Sequence, residues 1–600
     1  MTVADLLRRR AADDPDAVAT LVDGGPGVVG PQLTYGDWHR RSDAVARGLT
    51  ERGLERGDRV LLLFDNARWV DYAVSYLAVH KAGATAVPVG TRFAGRELAG
   101  VAEHCGAAAL VCPPDLGPAE SVGPWVASPA DLAGDHDGEF LQVGEFVQVP
   151  VEPGDIAEIL YSSGTTGAPK GVACSHANLL FHDPPPGDEV PGRATLVHAF
   201  PVGTNAAQEV LRLPLRRGDR TVVVMAVFDP ERFCALVAEH RVRRLQLVPT
   251  MAQVIVGSGA PHRHDLSSVE RVVLSSAPAP PAILPLLAEA FPNAVVWNTY
   301  ALTEGGTARS LLVDAVARPG SVGRGVGGTE LRVVDDAGGD RPPGEVGEVW
   351  LRRPGAPLRW YYRDREATAA TWDGDWLRTG DLGYFDSEGY LYLVERKKDV
   401  IVTGGLNVAS LEVENVLHEH PAVVEAAVFG IPHDVLGQDV AAAVVVRADV
   451  AGGDLTGGDL TGRDLTVFVR ERLGEYKTPH HVFVVDDLPR TVTGKVLKRE
   501  LRDRFAGAAT EAAARPTVGA RTPTEAAIVG VWEEVLHRRP VGVDDDFFDH
   551  AGHSLAAAQI VARVNDMFGI ELPVTAVFDA STVAELATLV DRRAAVEGAG

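Results

Sequence analysis

The hydrophobic pattern changes period several times along the chain. Short continuous apolar runs, RVLLLF (59–64), TAVPV (85–89), TVVVMAV (221–227) and RVVLSS (271–276), read as buried strands. Between them, apolar residues return every three to four positions, as in DYAVSYLAVHKAG (71–83), and this spacing predicts helices. The alternation over the first ~390 residues predicts an α/β body whose sheets are covered by helices. The opening MTVADLLRRR lacks the apolar core of a signal peptide and predicts a first amphipathic helix.

Residues 322–394 change character. Short strands punctuated by Gly and Asp, such as GEVGEVWL (344–351) and GYLYLV (389–394), predict a β-rich subregion. The charge cluster ERKKDV (395–400) follows it, and a smaller α+β stretch runs to residue 505. Inside that stretch GGDLT, GGDLT and GRDLT succeed one another over 452–466. They read as a duplicated loop ending in a helix N-cap, with the helix DLTVFVRERL after it; a calcium-binding Gly/Asp repeat is the alternative. Residues 506–520 are rich in Ala, Pro and Gly and read as a linker. Beyond it Val561, Val564 and Phe568 share one helical face. The organisation expected is 1–394, a large body; 395–505, a small subdomain; 506–520, a linker; and 521–600, a helical module.

Composition narrows the function classes. The 600 residues are 46% hydrophobic and 23% charged, which excludes a mainly disordered or fibrous chain. A net charge of −25 argues against a nucleic-acid partner. No apolar run reaches the ~18 residues of a membrane span, so no membrane partner is expected and the location expected is cytoplasmic. Cys105, Cys112, Cys174 and Cys234 show no metal-ligand spacing and read as reduced, buried thiols. The last segment, 521–600, carries 6 Arg and 13 Asp or Glu, a local charge of −7. Only seven of the 57 basic residues are lysines, at 81, 170, 397, 398, 477, 495 and 498. In so Arg-biased a chain, a lysine marks a place to look for chemistry that Arg cannot supply.

The densest candidate chemistry is YSSGTTGAPKG, Tyr161 to Gly171, directly after the apolar run DIAEILY. Ser162, Ser163, Thr165 and Thr166 offer hydroxyls. Gly164, Gly167 and Gly171 let backbone N–H groups approach an anion, and Lys170 adds a mobile positive charge. The spacing is not that of the P-loop. The string resembles the signature loop of adenylate-forming enzymes, the superfamily of acyl- and aryl-CoA ligases and of nonribosomal-peptide-synthetase adenylation domains. LTYGDW (33–38), GDRV (57–60), YLAVHKAGATAVPV (76–89), NTYALTEGG (298–306), GEVW (347–350), RTGDLG (378–383), ERKKDVIVTGGLNV (395–408) and LPRTVTGKVLKREL (488–501) resemble its other motifs in the expected order.

The resemblance implies an adenylate-forming α/β body, a mobile α+β subdomain, and residue roles. Ser162 to Gly167 and Lys170 would bind the phosphates of ATP. Glu304, beside Thr303, would coordinate Mg²⁺, a carboxylate near a triphosphate being tolerable with a cation between them. Tyr300 would pack near the adenine, Asp381 would accept the ribose hydroxyls, and Arg396 would reach ribose and phosphate. Lys495 would be the catalytic cation for adenylation, stabilising charge on the reacting oxyanion and α-phosphate. The small subdomain would then rotate about a hinge at Lys398 for the second step.

DDDFFDHAGHSLAAAQIVARV (544–564) resembles the phosphopantetheine-attachment motif of carrier proteins, with Asp546, Phe547, Phe548, Gly552, His553, Ser554 and Leu555 in place and Ala551 for its usual first Gly. Ser554 would carry the 4′-phosphopantetheine arm, installed by a phosphopantetheinyl transferase. A thiol on such an arm makes the transfer effectively intramolecular.

The acid is less legible. Amino-acid-activating domains carry Phe-Asp where this chain has HAFPVGTNAA (198–207), and an ammonium without a carboxylate partner is costly to bury. The string resembles the His-Asn-aromatic-Pro motif of aryl-acid-activating enzymes, with Ala199 in place of Asn. His198, Phe200, Asn205 and Ser276 are the pocket candidates. The reading is an aryl or short acyl acid loaded onto the chain's own carrier, with a downstream acyl-accepting or tailoring enzyme in trans, in natural-product biosynthesis. The alternatives are a CoA ligase using free CoA, a didomain for an unusual amino acid, and a non-catalytic scaffold.

Overall fold

The computed structural model describes the chain except for residues 92, 94, 118–124, 135–145, 163–169, 182–192, 434–435, 448–460, 492–494, 507–517, 537–538, 546, 548–553, 574 and 598–600. The described residues divide into two compact units: 1–398 with 490–495, and 399–489 with 496–600. The 452–460 repeats and most of the expected linker lie outside the described residues, as do Asp546, Phe548, Gly552 and His553.

The first unit is α/β, as its alternating pattern requires. Arg59–Phe64 and Thr85–Gly90 pair in parallel and are flanked by Ala109–Val111 and Ile156–Ser162 in a seven-stranded sheet. Side chains of successive strand residues point to opposite faces, so an unbroken apolar run fills two cores at once. Val60, Leu62 and Phe64 join one core, Leu61 and Leu63 the other. A second, four-stranded sheet is built from Gln32–Thr34, Val18–Val22, Arg220–Val224 and Ala194–His198. The run at 221–227 ends as a strand at Val224; beyond it Val227 is exposed, and Asp229 caps the helix Pro230–Glu239.

A ten-stranded sheet completes the unit. It opens with three parallel strands, Arg244–Leu247, Arg271–Leu274 and Val295–Ala301, and turns antiparallel from there onward. Its antiparallel part holds Gly347–Arg352, Trp376–Phe385 and Leu391–Arg396, the β-rich subregion read from the Gly and Asp punctuation.

Every residue of the helix Trp69–Lys81 is buried except Asp71. Its last residue, Lys81, is fully buried, with Nζ 2.6 Å from Asp43 Oδ1 and 2.8 Å from the His39 carbonyl on the helix Tyr35–Glu51. Lys81 is thus an interior ion-pair partner. The four cysteines are free and buried, and burial pushes their thiols up, to about 11 at Cys105 and Cys112 and about 12 at Cys174 and Cys234.

Glu158 and Arg212 form a buried ion pair, 0% and 1% exposed. Arg212 on the helix Asn205–Arg216 reaches both carboxylate oxygens, at 3.3 and 3.1 Å, and the Tyr76 hydroxyl and Gln208 amide donate to the same group. Burial works against the Arg212 charge, but Glu158 outweighs it, so the guanidinium stays ionised.

The second unit holds a five-stranded sheet in which Val423–His433 and Gly437–Val446 form the long central pair. The helix Gly462–Arg470 packs Leu465 and Val469 onto it and is capped at Thr461 by a reciprocal bond with Asp464. The same unit contains a helical module built from Pro523–Val535, Ser554–Phe568 and Val583–Glu597 around fully buried Trp532, Phe547, Ile560, Val564 and Leu586. Val561 and Val564 face that core and Phe568 packs at its edge.

Removing one partner of a buried pair strands the other. Arg212→Met is expected to lower stability by about 3–5 kcal/mol in urea titration of the full chain, and a loss under about 1 kcal/mol would show that Glu158 is not held by this ion pair.

Candidate active site

Ile156–Ser162 and Lys170–Ser175 are antiparallel neighbours, with Ser162 opposite Lys170. The glycine-rich segment therefore leaves and re-enters the sheet at one point. Ser163, Gly164, Thr165, Thr166 and Gly167 lie outside the described residues, as does the side chain of Ser162. Lys170 is half-buried, and its Nζ lies 5.1 Å from the centroid of the Tyr361 ring. Tyr361 donates its hydroxyl to Glu304 Oε1 at 2.8 Å. Burial, then the Glu304 charge, raises the Tyr361 pKa well above its ordinary value, so the phenol remains a donor.

Thr303 and Glu304 follow the strand Val295–Ala301, which also carries Tyr300. The Tyr300 hydroxyl donates to Asp381 Oδ2 at 2.5 Å. Arg396 stands directly opposite Asp381 in the antiparallel ladder and places Nε 2.9 Å from Asp381 Oδ1. Asp381 is buried, and both its oxygens are engaged by side chains from two other strands of the same sheet. Gly380, before it, has φ +70°, a backbone conformation that favours glycine.

Lys495 belongs to the same unit through the segment 490–495. Its backbone bonds to Thr491, whose Oγ1 accepts from Lys495 N at 3.1 Å and whose N–H donates to the Lys495 carbonyl at 2.7 Å. Desolvation, then the nearby Arg396 charge, lowers the ammonium pKa below its ordinary value, while Asp381 and Glu304 pull the other way. The residue retains solvent exposure. Lys398 is exposed and is the last residue of the first unit before the chain enters the second.

The pocket candidates separate. His198 and Phe200 lie in the core at 0% and 3% exposure. The His198 ring meets Trp69 edge-on at 4.9 Å and Phe200 face-on at 5.6 Å. The Phe200 N–H donates to His198 Nδ1 at 3.1 Å, so the neutral ring carries its proton on Nε2, which has no partner among the described residues. Asn205 is the first residue of its helix, and its Oδ1 accepts from Arg359 at 3.2 Å. Ser276 is exposed with φ +73°, a strained conformation for a residue with a Cβ.

Two residues went unnoticed in the sequence. Tyr361 bridges Lys170 and Glu304, and Arg359, 3% exposed, joins three separate segments. The available signal was RWYYRD (359–364), two arginines and two tyrosines within six residues, in a stretch read only as short strands.

The donor set suits Mg·ATP. Asp381 offers a fixed, buried acceptor; Lys170, Arg396 and Lys495 supply the positive charge a polyphosphate needs. Glu304 is a single carboxylate, which suits Mg²⁺ because that ion keeps water and phosphate oxygens as its other ligands. Among the described residues no group of three or more His, Cys, Asp or Glu could form a closed metal cage. Ser554 opens the helix Ser554–Phe568, the position of an attachment serine in its motif; its side chain lies outside the described residues. No described helix is long and apolar enough to cross a membrane.

Comparison with known proteins agrees with this chemistry. A family model described as AMP-binding enzyme matches residues 7–362, the C-terminal domain of AMP-binding enzymes matches 412–495, and a phosphopantetheine attachment site matches 526–590. The chain is similar to 4-coumarate–CoA ligase 5 of Oryza sativa subsp. japonica, 31% identical over 84% of this chain and 94% of that protein. It is 29% identical to the fatty acid–[acyl-carrier-protein] ligase ScoC of Streptomyces coeruleorubidus over 84% of this chain and 97% of that one. Among solved structures, ATP-bound MatB from Rhodopseudomonas palustris superposes with a TM-score of 0.72 at 29% identity, covering 84% of this chain and 99% of that one.

The depressed His198 carries a test of its own. Burial holds its pKa at about 3, against about 6.5 in the unfolded chain. The folded state binds the fewer protons between these values, so stability is full above pH 6.5 and is lost as pH falls toward 3. His198→Asn keeps an acceptor for the Phe200 N–H without the titration. Urea titrations at pH 6.5 and 5.5 should show the variant losing about 1 kcal/mol less than wild type over that step, and equal losses would contradict the assignment.

Proposed function

The chain belongs to the AMP-binding enzyme family, as an adenylate-forming acid–thiol ligase of the acyl- and aryl-CoA-ligase-like kind that uses Mg·ATP and carries a phosphopantetheine carrier domain, and from that premise we propose that it activates a carboxylic acid and loads it onto its own carrier at Ser554. The observation that carries the reading is the gathering of Asp381, Tyr300, Arg396, Glu304 and Lys495 within one unit.

In this reaction the acid carboxylate displaces pyrophosphate from ATP, and a thiol then displaces AMP. Asp381 takes the ribose hydroxyls, oriented for the task by Tyr300 on one oxygen and Arg396 on the other. Neutralisation by Arg396 lets this carboxylate sit beside a polyanion. Lys170 and the hydroxyls of Ser162, Ser163, Thr165 and Thr166 hold the phosphates. Glu304, fixed by Tyr361, is the carboxylate for Mg²⁺, with Thr303 beside it. Lys495 presents a compact, mobile ammonium to the charge that develops between acid and α-phosphate. When bound, phosphopantetheine supplies a thiol on a long arm. The division of the chain after Lys398 supports a hinge there, around which residues 399–489 and the segment bearing Lys495 exchange between the two half-reactions.

The substrate proposed is an aryl or short acyl acid without an α-ammonium, since HAFPVGTNAA offers no carboxylate to pair one. His198, Phe200, Asn205 and Ser276 shape or support that pocket, and the acyl group passes to a partner enzyme of natural-product biosynthesis. A second reading, thioester formation with free CoA, draws on the relative named as a CoA ligase; the relative named as an acyl-carrier ligase favours the carrier.

The test is intact-mass analysis of the pantetheinylated protein offered a mixed acid library with ATP. Ser554→Ala should abolish the acyl mass while leaving pyrophosphate exchange intact. Wild-type exchange without acyl mass on the carrier, together with acyl-CoA formation, would overturn carrier loading in favour of the CoA ligase. Lys495→Ala should slow adenylation by about 10²–10³-fold and leave transfer from supplied acyl adenylate nearly unchanged. Equal loss in both steps would contradict its role.

A further inference from the structure

The guanidinium of Arg359 is buried at the junction of three segments that are distant in sequence. Its Nε donates to Asn178 Oδ1 at 2.8 Å, and its Nη1 to the Thr303 carbonyl at 2.8 Å and to Asn205 Oδ1 at 3.2 Å. All these partners are neutral, an unusual setting for a buried cation. The residue is itself tightly fixed. The Trp372 indole donates to its carbonyl at 2.9 Å, and the next residue, Trp360, pairs with Ala173 in the sheet. Asn178 is anchored in turn, donating to the Pro357 carbonyl at 2.5 Å.

The loop after Glu304 is moulded to this group. Gly306 has φ +60°, and a Cβ there would lie 3.1 Å from both Arg359 Nε and Asn178 Nδ2. One rigid fork therefore fixes the peptide immediately before Glu304 and the first residue of the helix Asn205–Arg216 together. Lysine, with a single nitrogen, could not reach all three acceptors in this geometry.

We propose that Arg359 is a positioning residue that locks the Glu304 loop to the start of the acid-pocket helix, so that the metal carboxylate and the pocket keep a fixed spacing. Tyr361 fixes the carboxylate of Glu304 and Arg359 fixes its backbone. This inference rests on Glu304 being the carboxylate that meets Mg²⁺.

The experiment reads binding by the full-length protein. A non-hydrolysable ATP analogue is titrated by calorimetry at graded Mg²⁺ and in EDTA, for wild type, Arg359→Met, Arg359→Lys and Glu304→Gln. Arg359→Met should need about tenfold more Mg²⁺ for half of the metal-dependent gain in affinity, with affinity in EDTA unchanged. Arg359→Lys should shift in the same direction. A merely structural role would lower the melting temperature and the number of competent sites without moving the Mg²⁺ midpoint. A shifted midpoint in Glu304→Gln with unshifted Arg359 variants overturns the inference alone. An unshifted midpoint in Glu304→Gln overturns the reading of Glu304 and the inference with it. If Arg359→Met fails to fold, Arg359→Lys decides by the same midpoint.

Discussion

The site hangs on the buried bond between Glu158 and Arg212. Glu158 lies on the strand that runs into the glycine-rich segment, and Arg212 lies two turns inside the helix that begins at Asn205. Tyr76 and Gln208 satisfy the same carboxylate, so the helix Trp69–Lys81 is tied to the same point. A buried pair pays a desolvation cost that only good geometry and extra hydrogen bonds can offset. Here the return is placement. The strand and the helix have a fixed offset, and Asn205 is held where Arg359 can reach it. From Arg359 the constraint passes to Thr303, and from Thr303 by one peptide bond to Glu304.

The charges around the nucleotide end are arranged in opposed pairs. Asp381 is balanced by Arg396, and Glu304 faces Tyr361 with Lys170 over the same ring. Lys495 differs: burial, then Arg396, disfavours its charged form. A group that must meet charge developing only during reaction should not be spent on a ground-state ion pair. Lys81, Lys477 and Lys498 behave oppositely, each closed onto a carboxylate, at Asp43, Glu412 and Glu414. The arginine bias of the chain thus left lysines in two kinds of place, ion pairs within a unit and the motifs around the candidate site.

Much of this was legible because it was local. RVLLLF became a strand with the predicted limits, since an unbroken apolar run can only fill a sheet covered on both faces. The capping signal before DLTVFVRERL became the Thr461 cap. The order of short motifs, each held to one turn or strand end, carried the resemblance. Arg359 and Tyr361 escaped because their partners are long-range: the bonds to Asn178, Asn205, Thr303 and Glu304 span 181, 154, 56 and 57 residues. A single sequence carries no record of which distant acceptor an arginine will meet. His198 escaped in another way. Its motif draws the eye to substrate, whereas its Nδ1 is spent on the Phe200 N–H within the core.

That internal bond bears on the substrate. With Nδ1 occupied and the ring held neutral by burial, His198 has only an N–H left to offer, on Nε2. Arg359, which donates to Asn205 at the start of the neighbouring helix, is positively charged. An ammonium buried near such a cation would be costly without a carboxylate partner. An amino acid would need a carboxylate that the segment 198–207 does not contain. The proposed substrate, an acid whose recognition elements are acceptors and apolar surface, matches this motif and asks nothing of a carboxylate that the segment lacks.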